Sequence, residues 1–298
     1  MGRSLKKREV VMKKSFEYFR ANPAGNITGY VITPVYPGYR RAYAKEIIKR
    51  DPSVEQVGFI SPSYDGAPLR MDMMGGEFCG NATRAYGLYS ASFYESEGDV
   101  QIEVYVSGTE GPVNVIVNQQ EQSAYVKVEK PKEIVDVKID EDTFKAVVFS
   151  GIIHLVAERG EDPEFVQKAL NVLKFEFSSD AYGVIFLNVE KKEIVPYVNV
   201  PSAETLVREG SCASGSIAAA YVLNAKEDPD FEAIIKNPNG ELEIFADFTN
   251  GIEYIIGGPV EIGKIEKVTI DIPAEEVKRV KIEHEKELET INREAKED

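Results

Sequence analysis

The chain contains only two cysteines, and each stands directly before a run of small and apolar residues that favours a helix. Cys79 lies in the segment GGEFCGNATRAYG and Cys212 in the segment EGSCASGSIAAAY. A helix N-terminus presents unpaired backbone N–H groups and a partial positive charge, so it binds carboxylates and lowers the pKa of a nearby thiol. A cytosolic cysteine is more often a small buried apolar residue. Two in the same context nevertheless indicate a pair of reactive thiols with lowered pKa.

Two such helix starts on opposite walls of one cleft would hold an α-amino acid and invert it. One thiolate would remove the Cα proton while the other thiol delivers a proton to the opposite face. Gly80 and Asn81 at one helix, and Ala213 and Ser214 at the other, leave backbone N–H groups open to the substrate carboxylate. These groups would bind the planar intermediate more tightly than the substrate, because its carboxylate carries more negative charge. The pattern therefore predicts a two-base, two-cysteine isomerase that needs no cofactor.

Short runs of β-branched residues alternate with a few helical stretches along most of the chain. Helices are predicted at residues 39–50, 79–95, 163–173 and 212–224, and in the charged tail from residue 274. The two cysteine segments resemble each other, and each lies among short strands. We therefore expect an α/β (α+β) fold of two pseudo-symmetric lobes, each with a sheet wrapped around one central helix.

The predicted organisation has four parts. Residues 1–11 form a disordered lead-in, 12–132 the N-terminal lobe, 133–262 the C-terminal lobe, and 263–298 a return strand and a charged helix. That helix carries an apolar stripe at near-heptad spacing that would pack on the body or on a second subunit. The stripe comprises Val277, Val280, His284, Leu288 and Ile291.

The composition excludes several classes of partner. A formal charge of −15 argues against a long nucleic-acid or anionic-membrane footprint, since both require clustered Lys and Arg. No apolar run has the length of a membrane span or of a signal peptide. With two histidines far apart and no zinc spacing of cysteines, we expect no metal site, and no glycine motif for a nucleotide is present. The prediction is a cytoplasmic protein that acts on a small molecule.

Four sequence blocks resemble the diaminopimelate epimerase superfamily, in the same order and at the same spacing. Within it they are most similar to histidine racemases of the staphylopine-pathway type, and the similarity runs over most of the chain. The blocks are ANPAGN at residues 21–26, VEQVGFI at 54–60, GGEFCGNATRAY at 75–86 and EGSCASG at 209–215. The resemblance implies an amino-acid racemase without pyridoxal phosphate, with Cys79 and Cys212 as the bases, and it raises the expectation of a homodimer.

The resemblance also implies a substrate site. By block position, Asn26, Gln56 and Asn81 would line it, while Ser214 and the backbone N–H groups at Gly80 and Ala213 would bind the substrate carboxylate.

Two departures from the superfamily bear on the substrate. The usual Cys-Gly-Ser-Gly is CASG here, so Ala213 adds a methyl group where the carboxylate approaches. The Gly-Asn-Pro-His stretch of diaminopimelate epimerases, whose Asn recognises the distal end of the substrate, corresponds to GIIH at residues 151–154. Ile152 cannot hydrogen-bond a second amino-carboxylate group, and burying that group without partners would cost several kcal/mol. Diaminopimelate is therefore disfavoured, and histidine leads on the resemblance alone.

Several residues remain open at this stage. Glu204 and Glu209 are candidates for binding the substrate ammonium group, although an acidic chain has many solvated glutamates. Arg84 and Arg208 are interpreted as surface or inter-lobe ion-pair residues, and His154 as a core or wall residue.

Two other functions remain open as well. One is an isomerase of a non-amino acid, with Glu77 as a base near Cys79. The other is a thiol switch in which the two cysteines form a disulfide.

Overall fold

A computed structural model describes residues 11–61, 70–128, 130–224, 231–247 and 253–297. Within these ranges the chain forms five α-helices and seventeen strands. The helices are α1 (Arg40–Arg50), α2 (Gly80–Ala91), α3 (Pro163–Glu176), α4 (Ala213–Asn224) and α5 (Ala274–Glu297). The strands of the first half are β1 (Val11–Pro23), β2 (Thr28–Val31), β3 (Gln56–Ser61), β4 (Arg70–Met73), β5 (Asp99–Val106), β6 (Val113–Asn118) and β7 (Ser123–Val128). Those of the second half are β8 (Glu133–Ile139), β9 (Asp142–Val148), β10 (Ile152–Ala157), β11 (Ala181–Asn188), β12 (Glu193–Val200), β13 (Thr205–Arg208), β14 (Phe231–Asn237), β15 (Gly240–Asp247), β16 (Glu253–Ile262) and β17 (Glu266–Pro273).

Two helices, α2 and α4, lie inside curved layers of strands. All twelve residues of α2 are buried, and the helix packs against β1, β5, β6, β7 and β16. Helix α4 is almost as deeply buried and packs against β10, β11, β12, β14, β15 and β16. A helix without a polar face is stable only when it is enclosed on all sides. The predicted fold class, with a sheet around each central helix, is confirmed.

Strand β16 connects the strands around the two central helices. It pairs antiparallel with β15 on one side and with β7 on the other, so strands from both halves of the chain share one ladder. Strand β17 pairs antiparallel with β1, from Val11↔Pro273 to Tyr18↔Glu266. The last strand therefore returns to the first, and the two helix starts are held in a fixed relation to each other.

The terminal helix α5 contacts the body mainly through its first half. Val280 is buried, and the hydroxyl group of Tyr36 is 2.9 Å from Nδ1 of His284. Leu288 and Ile291, further along the predicted stripe, are exposed. No helix in the described ranges has the length and apolar character needed to cross a bilayer. Of the predicted lead-in, residues 1–11, all but Val11 lie outside the described residues.

Candidate active site

The starts of α2 and α4 abut each other, which brings the two cysteines to one place. A Cβ added at Gly80 would lie 3.1 Å from Cβ of Ala213, so only a residue without a side chain fits easily there. Asn81, in the first turn of α2, donates from Nδ2 to the carbonyl oxygen of Ser211 at 3.3 Å and to its Oγ at 3.4 Å. Ser211 directly precedes Cys212, so Asn81 connects one helix start to the other.

Hydrogen-bond donors surround the sulfur of Cys79. This residue is the N-cap of α2, and its Sγ accepts from the backbone N–H of Ala82 at 3.5 Å. A second donor is Nε2 of Gln56, 3.2 Å from the same sulfur. The side chain of Thr83 donates to the Cys79 carbonyl oxygen at 2.8 Å and fixes the turn. Both donors to Sγ favour the thiolate over the thiol.

A buried polar chain leads from Cys79 to Glu55. Nε2 of Gln56 also donates to Oδ1 of Asn26 and, at 2.9 Å, to Oγ1 of Thr28. Asn26 in turn donates from Nδ2 to Oε2 of Glu55 at 2.7 Å. Oε1 of the same carboxylate accepts from the backbone N–H of Gly210 at 3.0 Å. The predicted site residues Asn26 and Gln56 are therefore hydrogen-bonded to each other, and Asn26 is held in turn by Glu55, which was not predicted from the sequence.

The surroundings of Cys212 are different, because a carboxylate contacts its thiol. The Glu209 carboxylate is hydrogen-bonded to the Cys212 thiol, and the Ser214 hydroxyl lies 3.8 Å from Sγ. The backbone N–H of Cys212 donates to Oδ1 of Asn237 at 2.9 Å, which fixes the entry into α4. Asn237 lies in an Asn-Pro-Asn-Gly turn, and the sequence gives no reason to assign it more than turn chemistry.

His154 is buried behind this site and contacts Ser214. Its Nε2 is 2.7 Å from the Ser214 hydroxyl, and its Nδ1 is buried without a partner among the described residues. Burial lowers the pKa of His154 to about 3, so the imidazole is neutral at ordinary pH. A Cβ at position 183 would overlap the ring, so Gly183 makes room for it. The interpretation of His154 as a buried wall residue agrees with this position.

Both thiols have raised pKa values, so the predicted lowering is wrong. Burial raises the pKa of Cys79 to about 12, with further contributions from Glu209 and Glu77, against the opposing donors Ala82 and Gln56. Burial and Glu209 raise the pKa of Cys212 well above its usual range. The field of a helix N-terminus is thus outweighed by loss of water and by neighbouring carboxylates.

The carboxylates near the thiols themselves hold protons unusually well. Burial, followed by the charges of Glu55 and Glu77, raises the pKa of Glu209 to about 8 against the opposing hydrogen bond to Cys212. Burial likewise raises the pKa of Glu77, whose Oε2 is buried without a hydrogen-bond partner among the described residues. Together these two carboxyl groups favour a cation beside the thiols.

Glu204 and Arg208, whose roles the sequence left undecided, lie away from the two thiols. The side chain of Glu204 is 75% exposed and pairs with Arg41 at 2.6 Å, so its assignment as an ammonium ligand is not supported. Arg208 pairs with Glu161 at 2.7 Å in a partly exposed ion pair, as interpreted from the sequence.

Arg84 is different, and its interpretation as a surface or ion-pair residue is wrong. It is completely buried, its Nη2 donates to the carbonyl oxygen of Pro259 at 3.0 Å, and burial lowers its pKa to about 10. Helix α2 has no exposed face on which a charged residue could lie.

No cluster of three or more potential metal ligands occurs in the part of the chain that the structure describes. What the site does provide is two thiols, backbone N–H groups at two helix starts and two carboxyl groups, Glu209 and Glu77, near the thiols. This set can transfer protons at a carbon next to a carboxylate.

Residues 15–285 match the family described as the histidine racemase CntK N-terminal domain. A histidine racemase of Fusobacterium nucleatum is 33% identical over 264 residues, which cover 84% of this chain and 96% of that protein. A histidine racemase of Staphylococcus aureus is 23% identical over 244 residues, covering 77% of this chain and 88% of that protein.

Among solved structures, a hydroxyproline epimerase of Agrobacterium vitis, with bound trans-4-hydroxy-L-proline, has the same fold. Its TM-score is 0.63 at 10% identity, covering 88% of this chain and 94% of that one. The chain therefore belongs to the histidine racemase CntK family and is an isomerase of the amino-acid racemase and epimerase class.

Proposed function

We propose that the protein racemises histidine without a cofactor and that Cys79 and Cys212 are its two bases. The observation that carries the proposal is the contact between two helix starts, each with a thiol, one facing donors and the other facing a carboxylate. The names of the relatives support histidine as the substrate. The chemistry at Cα requires only an acid, a base and stabilisation of the carbanion, all of which side chains and backbone supply.

The substrate carboxylate would bind between the helix starts. Backbone N–H groups at Gly80, Asn81, Ala213 and Ser214 are the donors that we propose for it. As the Cα proton leaves, negative charge moves onto this carboxylate, so fixed donors lower the barrier. The ammonium group of the substrate would bind near Glu209, which lies beside the Cys212 thiol.

Binding of this ammonium group would change the protonation of the thiols. Burial, together with the neighbouring carboxylates, raises the pKa of Cys79 and Cys212. A bound cation compensates the charges of Glu209 and Glu77, and the pKa of a thiol beside it falls. The reactive thiolate would therefore form mainly when a substrate is present.

Inversion would then proceed in two proton transfers. For one enantiomer, the Cys79 thiolate takes the Cα proton, and the electron pair of the C–H bond is delocalised into the carboxylate. The Cys212 thiol then gives its proton to the opposite face of Cα and becomes the thiolate. For the other enantiomer the roles are exchanged, so one proton is shared between two thiols throughout the cycle.

The test is proton exchange at Cα in D2O. The reduced protein is incubated with L-histidine, diaminopimelate or other L-amino acids, and loss of the Cα–H signal is followed by NMR together with chiral chromatography. We expect exchange with inversion for histidine, and a loss of about 10²- to 10⁴-fold in both Cys79→Ala and Cys212→Ala. Full activity in either variant would disprove the two-base mechanism, and inversion of another amino acid alone would disprove the substrate.

A further inference from the structure

We propose that Glu55 is a positioning residue that sets the direction of the hydrogen-bond chain ending at Cys79, so that an N–H group faces the sulfur. This inference rests on the proposed function, in which Cys79 must become a thiolate. It assigns a role to a residue that has no contact with either thiol.

The hydrogen-bond chain has three contacts, each between neighbouring buried or half-buried side chains. Oε2 of Glu55 lies 2.7 Å from Nδ2 of Asn26. Oδ1 of Asn26 accepts from Nε2 of Gln56. The same Nε2 lies 3.2 Å from Sγ of Cys79. Nε2 of Gln56 also donates to Oγ1 of Thr28 at 2.9 Å, but a hydroxyl group can rotate to donate or accept, so Thr28 does not set the direction of these hydrogen bonds.

A carboxylate accepts hydrogen bonds and cannot donate them, whereas a primary amide has one end of each kind. The amide of Asn26 must therefore turn its NH2 group to Glu55 and its oxygen to Gln56. Gln56 must in turn present its own NH2 group to that oxygen, and the same NH2 group reaches the sulfur. One acceptor-only residue thus orients two amides.

Glu55 cannot be replaced by a group that donates to Asn26 from both of its atoms, because its carboxylate has a second partner. Its carboxylate also accepts from the backbone N–H of Gly210, at 3.0 Å from Oε1. A backbone N–H is a donor in every state, so Glu55 faces two donors at once. Only a group with two acceptor atoms satisfies both.

The N–H group matters because the carboxylates near Cys79 oppose ionisation of its thiol. Glu209 and Glu77 both act against the thiolate, and the backbone N–H of Ala82 acts for it. The buried Tyr30 and Arg84 also lie within electrostatic range of the sulfur. A donor from Gln56 to an anionic sulfur is a charge-assisted hydrogen bond, which is about twice as strong as a neutral one.

The first variant is Glu55→Gln, which keeps the shape and adds a donor. Its oxygen would stay on Gly210, its NH2 group would face Asn26, and both amides would turn over. Gln56 would then present its oxygen to Cys79, which favours the thiol. We expect alkylation of Cys79 by iodoacetamide, measured by peptide mass spectrometry between pH 6 and 10, to slow by about ten- to hundredfold at pH 8. Removal of one negative charge alone would have the opposite effect and speed alkylation.

The second variant is Asn26→Asp in the Glu55→Gln background. It moves the acceptor-only side chain from position 55 to position 26, the next position in the hydrogen-bond chain. Gln at 55 then donates to the new carboxylate, which accepts from Gln56, and an N–H group again faces the sulfur. We expect the alkylation profile of Cys79 to return to within about twofold of the parent. If the single variant does not fold, the double variant still decides the matter, since it must fold and react like the parent.

Glu46→Gln is the matched control, since Glu46 pairs with Lys49 on α1 and its replacement should leave both thiols unchanged. Alkylation of Cys212 in the same samples reports any general loosening of the site. An unchanged or faster Cys79 reaction in Glu55→Gln, or a double variant that does not recover, would overturn the inference. The readout needs no substrate, so a protein that shows this pattern but does not racemise histidine would refute only the proposed function.

Discussion

Cys79 and Cys212 occupy corresponding places at two helix starts, but their partners have opposite hydrogen-bonding character. Gln56 and the N–H of Ala82 donate to the sulfur of Cys79. Glu209 accepts from the thiol of Cys212. Burial raises the pKa of both thiols, but these partners favour a thiolate at Cys79 and a thiol at Cys212. A two-base racemase needs one thiolate and one thiol at the start of a turnover. An overall likeness of two halves therefore does not make their reactive groups equivalent.

Replacement of Glu209 should have the largest effect on this asymmetry. In Glu209→Gln the carboxylate beside Cys212 is gone, so the pKa of that thiol falls, and its alkylation at pH 8 should rise by about ten- to hundredfold. Cys79 lacks the direct contact and should change less. Peptide mass spectrometry of both thiols in one sample makes the comparison, and equal acceleration of the two would contradict it.

The same variant has a stability signature. The pKa of Glu209 is raised from 4.5 to about 8 in the folded protein, so the folded state binds the proton more tightly than the unfolded state. The associated stability is complete below pH 4.5 and is lost as the pH rises through about 8. Melting temperatures of the parent should therefore decline over this window more steeply than those of Glu209→Gln.

Removal of the Ser214 hydroxyl should have an intermediate effect, limited to the Cys212 side. Ser214→Ala leaves Nε2 of His154 without its 2.7 Å partner, which costs about 1–3 kcal/mol of stability. Cys212 also loses a hydrogen bond that favours its thiolate, so its alkylation should slow by a few-fold, while Cys79 is unchanged. Ser214→Thr keeps a hydroxyl and should recover most of both losses. Thermal melts and alkylation rates test this, and an equal effect on Cys79 would contradict it.

Glu204→Gln should have the smallest effect. The exposed pair with Arg41 contributes at most about 1 kcal/mol, and the residue has no contact with either thiol. Racemisation should stay within twofold of the parent in the chiral assay. A tenfold loss would mean that Glu204 belongs to the active site and that Glu209 is not the glutamate that binds the substrate ammonium group.

The helix starts were predictable because the relevant signal is local. A cysteine followed by small residues and an apolar run indicates where α2 and α4 begin, and both helices start one residue after their cysteine. The predicted end of α2 at residue 95 was too late, since the helix ends at Ala91.

The electrostatics were not predictable from local pattern. Glu204 and Glu209 look alike in the sequence, and only the tertiary fold places one on the surface and the other beside a thiol. Glu55 reaches the site from the residue before β3, far from both cysteines along the chain. Arg84 was misassigned because an apolar helix with one arginine suggests an outward-facing charge, and nothing local shows that strands enclose the helix. Loss of water around a group is a property of the whole fold.

The pairing of β1 with β17 also has a consequence during synthesis on the ribosome. The partner residues of Val11 to Tyr18 are Pro273 to Glu266, so the first strand emerges long before its neighbour is made. Until then β1 has an unpaired edge on that side, and such edges are where nascent chains associate wrongly. Contacts between distant parts of a chain also slow folding. The protein can thus complete its fold only after residue 273 has been translated, and earlier termination would leave a chain prone to aggregation.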